Sequence, residues 1–208
     1  GRLRVLHGLR PSGELWVKVT VAPRPQGDAV PGWRAPGTGF DQPFEMLEAC
    51  HERVLRMLAL LDRLRVHLRT KGCDDSARQA ARDILRYFDQ AAPLHHEDEE
   101  LHVFPPLLEQ GDAQTVALVQ RLQREHGLMS ADWALARQPL LDMAEGRCQG
   151  FGAADEAVFE RFAACYASHV ENEERLAYPQ ARGLLPEATQ AAMGREMAVR
   201  RGADLSRR

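Results

Sequence analysis

From Asp41 onward the apolar positions recur at alternating steps of three and four residues, the period of amphipathic helices. Phe44, Leu47, His51, Val54, Leu58, Leu61 and Leu68 form the first such seam. It predicts a long helix entered at Asp41, with Pro43 in its first turn, and closed at Gly72. Asp74 or Asp75 can cap a second helix, expected to run to Phe104 and stop at Pro105-Pro106, which supply no amide donors. Pro93 lies inside it and predicts a kink. A third helix starts near Asp112 and carries Val116, Val119, Leu122, His126, Met129, Trp133 and Leu140 on one face. The fourth, from about Ala153 to near Pro179, presents Val158, Phe162, Cys165 or Tyr166, His169, Glu173 and Leu176. Four long amphipathic helices on short links predict an all-α fold, an antiparallel up-down four-helix bundle over residues 41–185. Within the C-terminal stretch 186–208, a short helix from about Pro186 to Arg201 is expected to pack on the outside.

Residues 1–40 follow a different pattern. Two short β-prone runs flank Pro11-Ser12-Gly13, which permits a hairpin. The Pro/Gly-rich stretch after them reads as a linker, so the segment is expected to form an arm.

Composition narrows the partners. The chain has 208 residues and a net charge of -3, with a pI near 6.3, which gives no electrostatic case for nucleic acid. No apolar run approaches the roughly 20 residues needed to span a bilayer, so no membrane partner is expected. No apolar h-region marks a signal peptide. Cys50, Cys73, Cys148 and Cys165 are scattered without a C-x-x-C pair, suggesting neither a zinc ribbon nor a disulfide framework. A reduced, cytoplasmic setting is the default expectation.

The candidate chemistry lies where the seams turn polar. His95 to His102 holds three histidines and four acidic residues, and a core cannot bury so many acids without a compensating cation. His95, Glu99 and His102 share one stripe if the segment is helical, a stripe that runs back through Phe88 and Ile84. Each helix has one histidine in a core-facing slot: His51, His95, His126 and His169. Two are followed four residues later by a glutamate, giving His95-Glu99 and His169-Glu173. Imidazole and carboxylate donors without thiolate suit iron, manganese or zinc, and a glutamate from each of two helices can bridge a pair of ions. Cys50 and Cys165, near His51 and His169, read as small buried hydrophobes. Without metal, Glu99 and Glu173 are expected to be uncompensated, with raised pKa values.

Four segments carry a family resemblance: ACHERV at 49–54, HHEDEELHVFP at 95–105, REHGLM at 124–129 and HVENEERLAYP at 169–179. In this order they resemble the signature stretches of the hemerythrin/HHE cation-binding family. The resemblance covers about Phe40 to Leu185 and implies a hemerythrin-like up-down bundle with a non-haem di-iron site. It places His51, His95, Glu99, His126, His169 and Glu173 as ligands, with Glu99 and Glu173 as bridges. Glu173 stands where oxygen-carrying hemerythrins have an aspartate one residue later.

Ser130 stands where those proteins have a second histidine on the third helix. Two six-coordinate irons offer about twelve positions. Four histidines, two bridging glutamates and an oxo or hydroxo bridge then leave roughly two open, rather than the single one of a dedicated oxygen carrier. His102 and His96 are the candidates to fill a gap, His102 being better placed by phase.

The function implied is binding, sensing or reduction of a small ligand, namely oxygen, nitric oxide or peroxide, with a redox partner if electrons are consumed. Whether the protein is an enzyme is left open. The alternatives are a metal-stabilised interaction or sensor module, a metal-free scaffold, and a ferritin-like di-iron carboxylate protein. The last uses Glu-x-x-His on two helices, and Glu99-x-x-His102 supplies the motif once.

Overall fold

The computed structural model describes residues 39–202, together with the backbone of two strands, β1 (Leu3–Leu9) and β2 (Leu15–Val21). The strands pair antiparallel, with Leu3 opposite Val21 and Leu9 opposite Leu15. Pro11-Ser12-Gly13 and the Pro/Gly-rich linker lie outside the described residues. The strands belong to one compact unit, Gly1–Gly37, and the helices to another, Thr38–Arg208.

The helical unit is a bundle of rods. The first is α1 (Pro43–Lys71). It ends at Gly72, whose φ of 80° is a left-handed conformation that glycine adopts without Cβ strain. The second rod joins α2 (Asp75–Arg86), α3 (Ala92–Asp98) and α4 (Phe104–Gln110). The third is α5 (Ala113–Ala144). The fourth joins α6 (Ala153–Asn172) and α7 (Tyr178–Leu184), and α8 (Glu187–Arg200) follows. Asp74 and Asp112 cap α2 and α5, each accepting a 2.8 Å bond from a first-turn amide. Asp41 does not cap α1; Gln42 holds that position without a side-chain bond. The first rod packs on α2 and α6, and α5 on α2 and α6. Among the described residues no helix is long and apolar enough to cross a membrane.

The prolines do not end the rods. A π-helical turn precedes each of three proline-bearing segments: Tyr87–Ala91 before Pro93, Glu99–Val103 before Pro105, and Glu173–Ala177 before Pro179. Each turn closes with a bond spanning five residues, as from the Phe104 amide to the Glu99 carbonyl. Proline lacks an amide donor and crowds the carbonyl four residues back, and the wider turn accommodates both defects. The second rod therefore continues past Pro105-Pro106 to Gln110, and the fourth past Pro179 to Leu184, instead of stopping there. The inserted residue also rotates the face. Leu176, expected in the seam, is 45 % exposed, and Ala177 and Tyr178 are buried in its place.

Two apolar clusters fill the bundle. One gathers Val54, Ile84, Phe88, Met129, Phe162 and Tyr166. The other gathers Phe44, Leu47, Phe104, Leu107, Leu122 and Tyr178. Every rod passes from one cluster to the other across a short polar stretch containing His51, His95 with Glu99, His126, or His169 with Glu173.

Helix α8 adds Met193 and Met197 to the second cluster. It is fastened to the second rod through buried Asp98, whose Oδ1 accepts from Arg200 at 2.7 and 2.9 Å and whose Oδ2 stands 2.7 Å from Arg201. Removing one member of a buried pair strands the other. Asp98→Ala is therefore expected to cost about 3 kcal/mol, read as a lower urea midpoint, with α8 becoming the first segment to exchange its amides. An unchanged midpoint would show that the apolar contacts of α8 alone hold it.

Candidate metal centre

The polar stretches of the four rods meet in one buried cluster. Glu99 and Glu173 are fully buried, and His51, His95, His126 and His169 nearly so. The π-turns at Glu99 and Glu173 begin at the two carboxylates, a placement common at functional sites. His95 and His169 each lie one α-helical turn ahead of their glutamate, so both members of each pair face inward.

The donors fall into two sets. His51, His95, Glu99 and Glu173 form one and His126, His169 and Glu173 the other, each with ligand atoms within 4.8 Å of one another. Glu173 belongs to both, and Glu99 reaches from the first set to His126 of the second. Glu173 turns Oε2 to His51 Nε2 at 3.0 Å and Oε1 to His169 Nε2 at 2.9 Å. Glu99 turns Oε1 to His95 Nε2 at 3.3 Å and Oε2 to His126 Nε2 at 3.4 Å. Both Glu173 oxygens and Oε2 of Glu99 are buried without an aligned hydrogen-bond donor.

Three glutamates support the imidazoles from behind. His51 Nδ1 pairs with Glu174 at 2.9 Å, His126 Nδ1 with Glu100 at 3.0 Å and His169 Nδ1 with Glu125 at 2.7 Å. A carboxylate on Nδ1 fixes the tautomer and leaves the Nε2 lone pair free, the arrangement of metal-bound histidine. His126 Nε2 and His169 Nε2 then face each other 3.1 Å apart. Two lone pairs at that distance call for a cation between them, either a proton shared in a hydrogen bond or a metal ion with the stranded carboxylate oxygens as co-ligands. His95 differs, since its Nδ1 is buried without a partner.

The sequence pattern does not mark Glu100, Glu125, Glu174 or Tyr178 as part of the centre, and pairs Glu100 only with His96, off the inward face. Their signal was adjacency, because each of the three glutamates sits one residue from a candidate ligand and so on the neighbouring helix face. Tyr178 was hidden by the π-turn. Its hydroxyl bonds Glu99 Oε1 and stands 3.1 Å from His51 Nε2.

The two reserve histidines fall outside both donor sets. His102 meets Arg200 at 2.8 Å and Glu196 at 3.2 Å, facing α8, so Glu99-x-x-His102 does not converge on the centre. His96 stacks on His126, with centroids 4.0 Å apart. It lines a cavity of about 500 Å³ together with Phe88, Ser130, Trp133 and Tyr166. A much smaller space of about 10 Å³ touches His51, His95 and His169, roughly room for one water-sized body.

The charge balance differs from the expectation of uncompensated glutamates. Burial pushes Glu99 up, but His95, His126 and His51 hold it well below the ordinary range. Burial and Glu99 push Glu173 up, yet His126, His169 and His51 bring it down. In return the imidazoles gain protons. Burial lowers His126, but Glu173 and Glu99 raise it to about 10. His51 is likewise raised well above its usual value, its burial outweighed by Glu173, Glu174 and Glu99. Burial leaves His95 at about 4 and His96 at about 3. Without metal, protons on the imidazoles compensate the carboxylates.

Residues 42–181 match the hemerythrin HHE cation binding domain, and the chain belongs to that family. An uncharacterized protein of Haemophilus influenzae is 33% identical to it over 162 residues, covering 78% of this chain and 91% of that protein. The family is one of cation-binding domains, and the His/Glu cluster fits a metal site.

Two expected outcomes follow from this geometry. Glu100→Gln, Glu125→Gln and Glu174→Gln should each weaken metal affinity about 10–100-fold in competition with a chromophoric chelator; unchanged affinity would reduce these contacts to surface ion pairs. The second concerns pH in chelated protein. The raised His126 and His51 stabilise the fold below their unfolded value of 6.5, and His126 loses that contribution as pH climbs to about 10. Glu99 and Glu173, held low, contribute above 4.5 and lose it on acidification. Neutral His95 and His96 also cost stability below 6.5, where the unfolded chain takes their protons. Melting temperature of the chelated protein should therefore fall from pH 7 to about 10, and that of the metal-loaded protein should fall less. Parallel curves would show that metal does not replace those protons.

Proposed function

We propose that the centre holds two iron ions and that the protein binds, senses or reduces oxygen, nitric oxide or peroxide there. The observation that carries this reading is the sharing of Glu173 between both donor sets. One carboxylate with an oxygen in each imidazole group, matched by Glu99, is the arrangement a pair of bridged metals needs. His51 and His95 would hold one ion and His126 and His169 the other. Imidazole and carboxylate donors suit iron, with manganese and zinc as competitors. Bound iron would supply open coordination positions and one-electron redox changes. The protein's part is to fix the donors, exclude bulk water and admit a ligand past His96 and Ser130.

The up-down arrangement of the four rods belongs to the same reading. Successive rods cross the two apolar clusters in opposite order, α1 from Leu47 to Val54 and the second rod from Phe88 to Phe104. The ferritin-like reading loses support because His102 turns away from the centre. The four free thiols fit a reducing compartment.

Metal analysis of protein from iron-replete cells is expected to find about two irons per chain. Glu99→Ala and His95→Ala should lose most or part of it, whereas His96→Ala should retain it. Chelation should lower the melting temperature, and ferrous iron added without oxygen should restore it. Metal that binds only the native state adds about 4 kcal/mol at a thousandfold excess over its dissociation constant. Full iron retention in Glu99→Ala would sink the bridging assignment, and a melting curve indifferent to verified metal loss would sink the metal-held core.

A further inference from the structure

The second and fourth rods repeat one phrase. His95-x-x-x-Glu99 leads to Phe104-Pro105, and His169-x-x-x-Glu173 leads to Tyr178-Pro179. In both, a π-turn runs from the glutamate and the aromatic residue opens the next helical segment. The rings hold equivalent posts. Phe104 stacks on His126 with centroids 5.6 Å apart, and Tyr178 on His51 at 5.4 Å. One hydroxyl separates the two rings, and a hydroxyl buried in an apolar cluster costs free energy unless it has a partner.

That oxygen touches two members of the donor set. It stands 3.1 Å from His51 Nε2 and contacts Glu99 Oε1. Other pairs in the set are spaced alike, with His51 Nε2 3.0 Å from Glu173 Oε2 and His95 Nε2 3.3 Å from Glu99 Oε1. Donors at right angles around one ion, with bonds of roughly 2.1 Å, stand roughly 3 Å apart. The phenol oxygen thus has the spacing of a neighbouring ligand.

Building on the di-iron reading, we propose that Tyr178 is a fifth protein donor to the ion held by His51, His95, Glu99 and Glu173, bound as phenolate when the ion is ferric. On binding, the O–H bond breaks, an oxygen–iron bond forms and the proton leaves to the buffer; no electron moves. The coordination count changes with it. Two histidines, two glutamate oxygens, the phenolate and one shared solvent oxygen make about six, which closes this ion. The other ion has His126, His169, two glutamate oxygens and the shared oxygen, about five. The remaining position lies on the ion that Ser130 leaves short of a donor, beside the cavity of about 500 Å³ lined by His96, His126 and Ser130. Exogenous ligand binds on that side.

The test uses the whole chain loaded with ferric iron, with the iron-to-protein ratio measured first. A visible phenolate-to-iron charge-transfer band is expected. Resonance Raman excited in that band should show tyrosine ring modes that shift in protein made with ring-deuterated tyrosine. The chain has three tyrosines, so Y87F and Y166F should keep the band and Y178F should lose it at unchanged iron content. If Y178F does not fold, retention in the other two variants together with the isotope shift identifies Tyr178 by elimination. Iron-loaded wild type without the band, a band surviving in Y178F, or one lost in Y87F or Y166F overturns the proposal. Wild type that binds no iron overturns the di-iron reading itself, a result seen in the metal assay before any spectrum.

Discussion

Everything in the helical unit is arranged around two carboxylates with no access to water. Glu99 and Glu173 are fully buried, and an ionised carboxylate in such a place must be neutralised or matched by positive charge. His51, His126 and His169, each raised above its usual value, supply that charge from three rods, so shifting any of these rods would unbalance it. The two apolar clusters lie to either side of the polar layer and keep water away from it. The π-turns serve the same constraint, since they let the proline-bearing rods continue past the layer after presenting Glu99 and Glu173 to it.

The compensation has two forms, and the fold is compatible with both. With protons, His51 and His126 carry the positive charge, which is why both are raised despite burial. With metal, the same nitrogens must give up those protons to donate lone pairs, so metal binding and proton release are linked. The expectation that metal-free glutamates would be stranded assumed neutral histidines. It failed because imidazole is itself a proton acceptor whose affinity rises beside a carboxylate. The stability that metal adds is accordingly measured against a proton-compensated centre, not against bare buried charge.

The helical period placed six polar side chains on inward faces, because His51, His95, His126 and His169 occupy seam slots whose apolar neighbours have an unambiguous phase, and Glu99 and Glu173 lie one turn on. What the period could not place lies within or after the π-turns that begin at Glu99 and Glu173. A π-turn adds one residue to the face, so the α-helical period puts Leu176 inside and leaves Tyr178 out. Prolines 105 and 179 read as stops because a straight α-helix cannot accommodate them, whereas a rod with a π-turn can. The supporting glutamates were missed for another reason. Glu100, Glu125 and Glu174 point to a neighbouring face, where an acidic residue in sequence looks the same whether it meets solvent or the back of an imidazole.

The layer is symmetric in outline and unequal in detail. His126 and His169 each lean on a carboxylate, which strengthens them as donors, while His95 has a buried Nδ1 with no partner. On the other side, His51 has Glu174 behind it and the Tyr178 hydroxyl beside it, whereas the ring in the equivalent post beside His126, Phe104, carries no hydroxyl. Two ions held by such sets would differ in electron density and in free coordination, and the difference follows from this chain's own residues. Under the di-iron reading, Ser130 would leave one half short of a donor and the Tyr178 oxygen would complete the other. Such a centre would have one ion closed by protein and one left open to a cavity, a division that would favour ligand chemistry at a single metal over equal sharing between two.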